Sequence, residues 1–140
     1  MAEAEGERTG LFVALGLALC AAAAVLIALR GDPIAPLWTI AVIGVPWAAL
    51  MAFLRMHRDT WGKELPYFDL WSITHIVAGF LLAILGIGLI WVFVLAVAWE
   101  LIEAAAGIEE YPTNRVSDVV VAIAAWPLGP WLFSGDYPLW

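Results

Sequence analysis

Two uncharged apolar runs constrain this chain more than anything else in it. Leu11 to Leu29 is 19 residues without a charge, and Ile34 to Leu54 is 21. A helix needs about 20 apolar residues to cross the hydrocarbon core of a bilayer. Inside that core only helices and closed barrels satisfy every backbone polar group. Both runs therefore predict transmembrane helices. Composition agrees, because 64% of the 140 residues are hydrophobic and only 14% are charged, against about 25% charged in a soluble domain. Too few polar groups remain to clothe a soluble surface. The expected class is all-α: a polytopic helix bundle in the cell (plasma or inner) membrane, with residues 1–140 as a single domain.

The punctuation divides the chain into about five spans. Residues 1–10 are polar, carry Glu3, Glu5 and Glu7, and are expected to fray. This acidic start and the length of the first run argue against a cleaved signal peptide. Arg30-Gly31-Asp32-Pro33 breaks the first helix, and Pro46 kinks the second. The segment Arg55–Glu64 is the most basic loop. Leu70 to Trp99 would make one helix of about 45 Å at 1.5 Å per residue, too long for one crossing, and Gly86-Ile87-Gly88 offers a turn in its middle. A tight hairpin is predicted there, with its two helices as antiparallel neighbours. Gly107 and Pro112 end the second of these, Ile108–Arg115 is a polar loop, and Pro127 and Pro130 interrupt the last span. The expected helices are roughly 11–29, 34–54, 69–85, 89–106 and 116–132. With the N-terminus inside and the C-terminus outside, Arg8, Arg55, Arg58, Lys63 and Arg115 face the cytoplasm and Arg30 faces out, as the positive-inside rule requires. Trp61 and Trp71 then fall at the inner interface, and Trp38, Trp91, Trp131 and Trp140 at the outer one.

This topology brings scattered polar residues to one depth. Asp69, Ser72 and His75 open the third helix as an i, i+3, i+6 stripe. Glu100 and Glu103 close the fourth one turn apart, while Asn114, Arg115, Ser117 and Asp118 enter the fifth. Gly79, one turn beyond His75, allows a neighbouring helix close approach. Ionisable groups at membrane depth are costly and commonly mark ligand, ion or proton pathways. Two glutamates one turn apart in a low dielectric cannot both ionise cheaply. A shared proton, a neutralising partner or a bound cation would resolve this. A divalent metal on His75, Glu100, Glu103 and Asp118 is chemically reasonable, since imidazole with carboxylates suits zinc, manganese or iron. No H-E-x-x-H or C-x-x-C spacing demands one. Catalysis is left open; a glutamate would then be the general base, with His75 its partner.

Plainer roles compete at each position. Asp69 is also a good N-cap, Asp118 is also favoured by a helix macrodipole, and His75 can serve as an interhelical hydrogen-bonding residue. Arg115 either pairs with a carboxylate or holds its loop at the head groups. His57, Asp59, Glu64, Glu109 and Glu110 read as solvated loop residues. Cys20, the only cysteine, allows no intrachain disulfide and reads as small-residue packing. No basic patch is present, so nucleic acid is not an expected partner.

The order Asp–His, apolar hairpin, Glu-x-x-Glu, then Asn-Arg-x-Ser-Asp resembles the VanZ-like small membrane proteins and the related YjdF-like group. The matching positions are Asp69, His75, Glu100, Arg115, Ser117 and Asp118. Glu103 stands where VanZ-like proteins often have Gln, and Ala122 where they usually have Asn. The resemblance covers about 50 residues and implies an envelope-related role. Together these readings lead to a membrane protein whose cytoplasmic-side pocket binds a lipid head group, an amphiphile or a cation. The alternatives are an accessory subunit of a larger membrane complex, with the polar cluster as an interhelical lock, and a proton- or ion-coupled transporter. Expected partners are membrane lipids, with a homo-oligomer or a larger assembly also open.

Overall fold

Prolines and glycines set most of the boundaries found in the fold. The computed structural model describes residues 2–30 and 33–133, the side chains of residues 2–9, 12 and 30 excepted. Gly31 and Asp32 of the expected break, Trp140, and the side chains of Glu3, Glu5, Glu7, Arg8 and Arg30 therefore lie outside what is described. Among those described there are six helices and no strand: α1 (Ala2–Arg30), α2 (Leu37–Met56), α3 (Leu70–Ile84), α4 (Leu89–Ala105), α5 (Pro112–Ala125) and α6 (Leu128–Phe133). Leu37–Met56 and the α5–α6 stretch Pro112–Phe133 are long and apolar enough to cross a membrane, and Val13–Leu29 and Leu70–Ile84 are shorter apolar segments.

Three boundaries differ from expectation. α1 starts at Ala2, so the polar leading residues continue the helix; the segment AEAEGERT is rich in good helix formers. α2 starts at Leu37 instead of Ile34, because Pro36 occupies the N-cap and a residue before proline is held out of the α region. The freed Ile34 N–H donates to the Ile84 carbonyl at 3.0 Å, anchoring this connection to the end of α3. α5 starts at Pro112, four residues early. Proline at the first helical position has no N–H to leave unsatisfied there and is already set to helical φ, so Asn114 and Arg115 are helical residues and not loop residues.

The chain does double back at Gly86. This glycine adopts φ 83°, and the Gly86 and Ile87 N–H groups donate to the Ala83 and Leu82 carbonyls at 2.9 and 3.0 Å. That pair of bonds is a Schellman cap. Joining α3 to α4 does not make them the closest partners, however. α3 packs most extensively on α5 and then on α2, while α4 packs on α5 and α1. The reason is the α3–α5 crossing, where Gly79 lies directly against the backbone of Ala122. With no side chain between them, α5 settles onto α3 and takes most of the surface the hairpin was expected to share.

Indole N–H groups tie these packings together. Trp126, 1% exposed, donates to the Ile87 carbonyl at 2.7 Å and sits in a core with Ala83, Ile87 and Val92. Trp47 of α2 donates to the Thr74 carbonyl at 2.9 Å. Trp71 donates to the Gly62 carbonyl at 2.9 Å, fastening the α2–α3 loop to the start of α3.

Candidate functional site

The site is built outward from the first turn of α3. Asp69 caps that helix: its Oδ1 accepts from the Trp71 and Ser72 N–H groups at 2.8 and 3.1 Å, and the Ser72 hydroxyl accepts from the Asp69 N–H at 3.3 Å. This reciprocal capping box fixes the Ser72 side chain. Its hydroxyl proton is then free to go to Asp118 Oδ1 on α5, at 2.6 Å. The second Asp118 oxygen faces His75 Nε2 at 3.6 Å. On the other side, Glu100 Oε1 of α4 lies 3.7 Å from the same nitrogen. Asp118 is 1% exposed and Glu100 is 7% exposed. Both separations exceed the 2.7–3.2 Å of a nitrogen–oxygen hydrogen bond, and neither Glu100 carboxylate oxygen has a hydrogen-bond partner.

A second layer closes the loop end. Asn114, fully buried, turns its amide nitrogen to Asp69 Oδ2 at 3.0 Å, Glu110 Oε1 at 3.1 Å and Glu64 Oε2 at 3.4 Å. One amide has two protons to donate, so three carboxylates compete for them. Arg115 donates to the Glu100 and Ile108 carbonyls at 2.8 and 2.9 Å, and its Nε pairs with Glu110 Oε2 at 3.5 Å. It therefore pairs with a carboxylate and also ties the end of α4 and its following loop to α5. Burial, then the neighbouring charges of Asp69 and Glu110, pushes the Glu64 carboxyl up from 4.5 to about 8. Burial also raises Glu110, with Arg115 and Asn114 opposing the shift. The Thr113 hydroxyl donates to the Pro66 carbonyl, joining the two loops.

Asp69, His75, Glu100, Glu103, Asn114, Arg115 and Asp118 thus gather at one end of α3, α4 and α5. Ser117 does not join them. Its hydroxyl donates back to the Thr113 carbonyl of its own helix at 2.9 Å, because adjacent helical residues point about 100° apart and Asp118 takes the inward direction. Ser72 supplies the hydroxyl instead. Glu64 and Glu110 are a correction in the other direction. The sequence reads both as solvated, yet Glu64 is half-buried and the Glu110 side chain is almost wholly buried, both against Asn114. The only signal that could have found Glu110 is the helix start at Pro112, which puts it four residues before Asn114. Nothing in the sequence marks Glu64. His57, Asp59 and Glu109 are exposed as expected.

Two donor groups result, His75–Glu100–Asp118 and Glu100–Glu103–Glu110, and within each the ligand atoms lie within 4.8 Å of one another. Two cavities adjoin them. A vestibule of about 660 Å³ at the loop end is lined by Arg58, Lys63, Glu64, Glu110 and Tyr111, among others. The His75 ring borders a second cavity, about 360 Å³ and almost wholly apolar, walled by Trp47, Trp71, Trp99, Leu82 and Ala96 and by exposed Cys20 of α1. Chemically the end of the bundle can hold cations or share protons on its carboxylates, and through His75 it meets a space fit for a hydrocarbon chain. No protein-family model, curated protein or solved structure matches the chain.

Proposed function

We propose that the chain is a five-span membrane protein, N-terminus in the cytoplasm, that binds an amphiphile. The apolar tail lies in the cavity beside His75 and the polar head reaches the carboxylate cluster. The observation that carries this is the position of His75, which belongs at once to the charged cluster and to the wall of the apolar cavity. A volume of about 360 Å³ falls within the range of small-molecule sites, about 300–1,000 Å³. α1 rests on α4 and α2 rests on α3, and both line the cavity, so a tail arriving from the bilayer would enter between them. Membrane placement is supported by the two long apolar helices and by the exposed Leu17, Val25, Val42 and Val45 on α1 and α2, an apolar surface suited to lipid. Lys63 and Arg58 flank the vestibule beside Glu110, and Arg115 stands at the same end, in keeping with a cytoplasmic face. The VanZ-like resemblance adds an envelope-related setting.

The test uses the tryptophans that wall the cavity. A chain-brominated single-tail amphiphile added to the detergent-purified protein should quench intrinsic fluorescence saturably. Filling the cavity with Ala96→Phe should remove the saturable part while helical circular dichroism is retained. Quenching that never saturates, or that is the same in the filled variant, rejects the reading.

A further inference from the structure

The carboxylate end has more carboxyl groups than basic partners. Glu64, Asp69, Glu100, Glu103, Glu110 and Asp118 gather there, with Arg115, Arg58 and Lys63 as the bases and Asp59 and Glu109 also on the vestibule wall. Where water is scarce, the excess carboxyl groups must hold protons or cations. Glu100 is at the centre of that excess. It is nine-tenths buried, neither of its oxygens has a hydrogen-bond partner, and it alone belongs to both donor groups. A buried carboxylate is ordinarily paired, hydrogen-bonded or bound to metal.

We propose that this end of the bundle binds two divalent cations bridged by Glu100. One sits on His75, Glu100 and Asp118, and the other on Glu100, Glu103 and Glu110. Two metal–ligand bonds of about 2.1 Å set their donors about 3.0–3.4 Å apart at octahedral or tetrahedral angles. His75 Nε2 stands 3.6 Å from Asp118 Oδ2 and 3.7 Å from Glu100 Oε1, too far for direct hydrogen bonds and within a few tenths of an ångström of the spacing that ligation would draw them to. The Ser72 hydroxyl on the other Asp118 oxygen and Arg115 on Glu110 orient the ligating carboxylates, the usual task of groups behind a metal site. The first position mixes imidazole with carboxylates and the second is all oxygen. Manganese suits both donor sets. A carboxylate that gives one oxygen to each ion fits the separation of about 3.5–4 Å common in two-metal sites. Three protein donors per ion leave positions open, so a head group bound there would present phosphate or carboxylate oxygens. That last step rests on the amphiphile reading; the cation pair does not.

Mn²⁺ is the probe. The full chain in detergent, equilibrated with Mn²⁺ and dialysed, should retain two ions per folded molecule, with the six-line paramagnetic resonance signal suppressed by coupling between them. Asp118→Asn and Glu103→Gln should each keep one ion and regain the six-line signal, while Glu100→Gln should weaken both positions at least tenfold. Glu110→Gln, outside the helices, is the variant to rely on if a helix substitution disturbs folding, and it should keep one ion. One ion or none per folded wild-type chain, or two uncoupled ions, overturns the pair. Brominated-amphiphile quenching on the same samples separates the two readings. Quenching without manganese leaves the amphiphile reading standing and rejects the cations, and a coupled pair without quenching does the reverse.

Discussion

Gly79 shows how one missing side chain sets the geometry of the site. A Cβ there would run into the carbonyl and Cα of Ala122, so any side chain pushes α5 away from α3. Ser72 and Asp118 bridge the same two helices, and separating the helices breaks that bond as well. Gly79→Ala should therefore destabilise the protein by about 1–3 kcal/mol, the usual cost of overpacking, and lower its thermal midpoint in detergent. Gly44 has open space where its Cβ would be, and Gly44→Ala on α2 should be neutral or slightly stabilising. Equal effects from the two substitutions would show that the α3–α5 crossing is not tight. The same crossing constrains Ala122. This residue is 3% exposed with its backbone against Gly79, in a position better suited to a small side chain than to an amide.

Among the elements, α3 owes its start to Asp69, whose carboxylate does three jobs. It caps the helix, accepts the Leu65 N–H at 3.1 Å and receives the Asn114 amide. Asp69→Ala removes all three. Loss of a cap alone costs about 0.5–2 kcal/mol, so the total should fall at or above the upper end of that range. Asp69→Asn can still cap and should cost less than half as much. The midpoints of thermal unfolding for the two variants check this; equal losses would mean that the charge, and not the cap, holds the turn. Either result also bears on the site, because Ser72 is held by the same capping box that aims it at Asp118.

At the scale of the whole molecule, the two loops at the vestibule make stability depend on pH. Glu64 faces Asp69, Glu110 and Glu103, with Arg58 and Lys63 on the vestibule wall. Its folded-state value of about 8 lies above its ordinary 4.5, so between those values the folded chain holds a proton that the unfolded chain has released. The stabilisation is complete below about pH 4.5 and is lost as pH rises through about 8. Thermal midpoints measured in chelator should fall across that window in wild type, and Glu64→Gln should flatten the fall. An unchanged slope in the variant would show that other groups set the dependence.

The sequence by itself determined what depends on local chemistry and on length. It yielded the all-helical class, the apolar stretches of which two are long enough to span, the turn at Gly86 and the Asp69 cap. Because chain reversal there is a local event, it also brought Asp69, Glu100 and Asp118 to one end. Only the tertiary structure decided how each helix is rotated about its axis and where the loops run. That is why α5 rather than α4 lies closest to α3, why Ser117 turns away while Ser72 turns in, and why Glu64 and Glu110 join the cluster. It is also why His75 borders an apolar cavity. Rotation and loop path are fixed by the neighbours an element meets, above all by the bare backbone contact of Gly79 with Ala122, and hydropathy along one chain carries no record of which neighbour that will be.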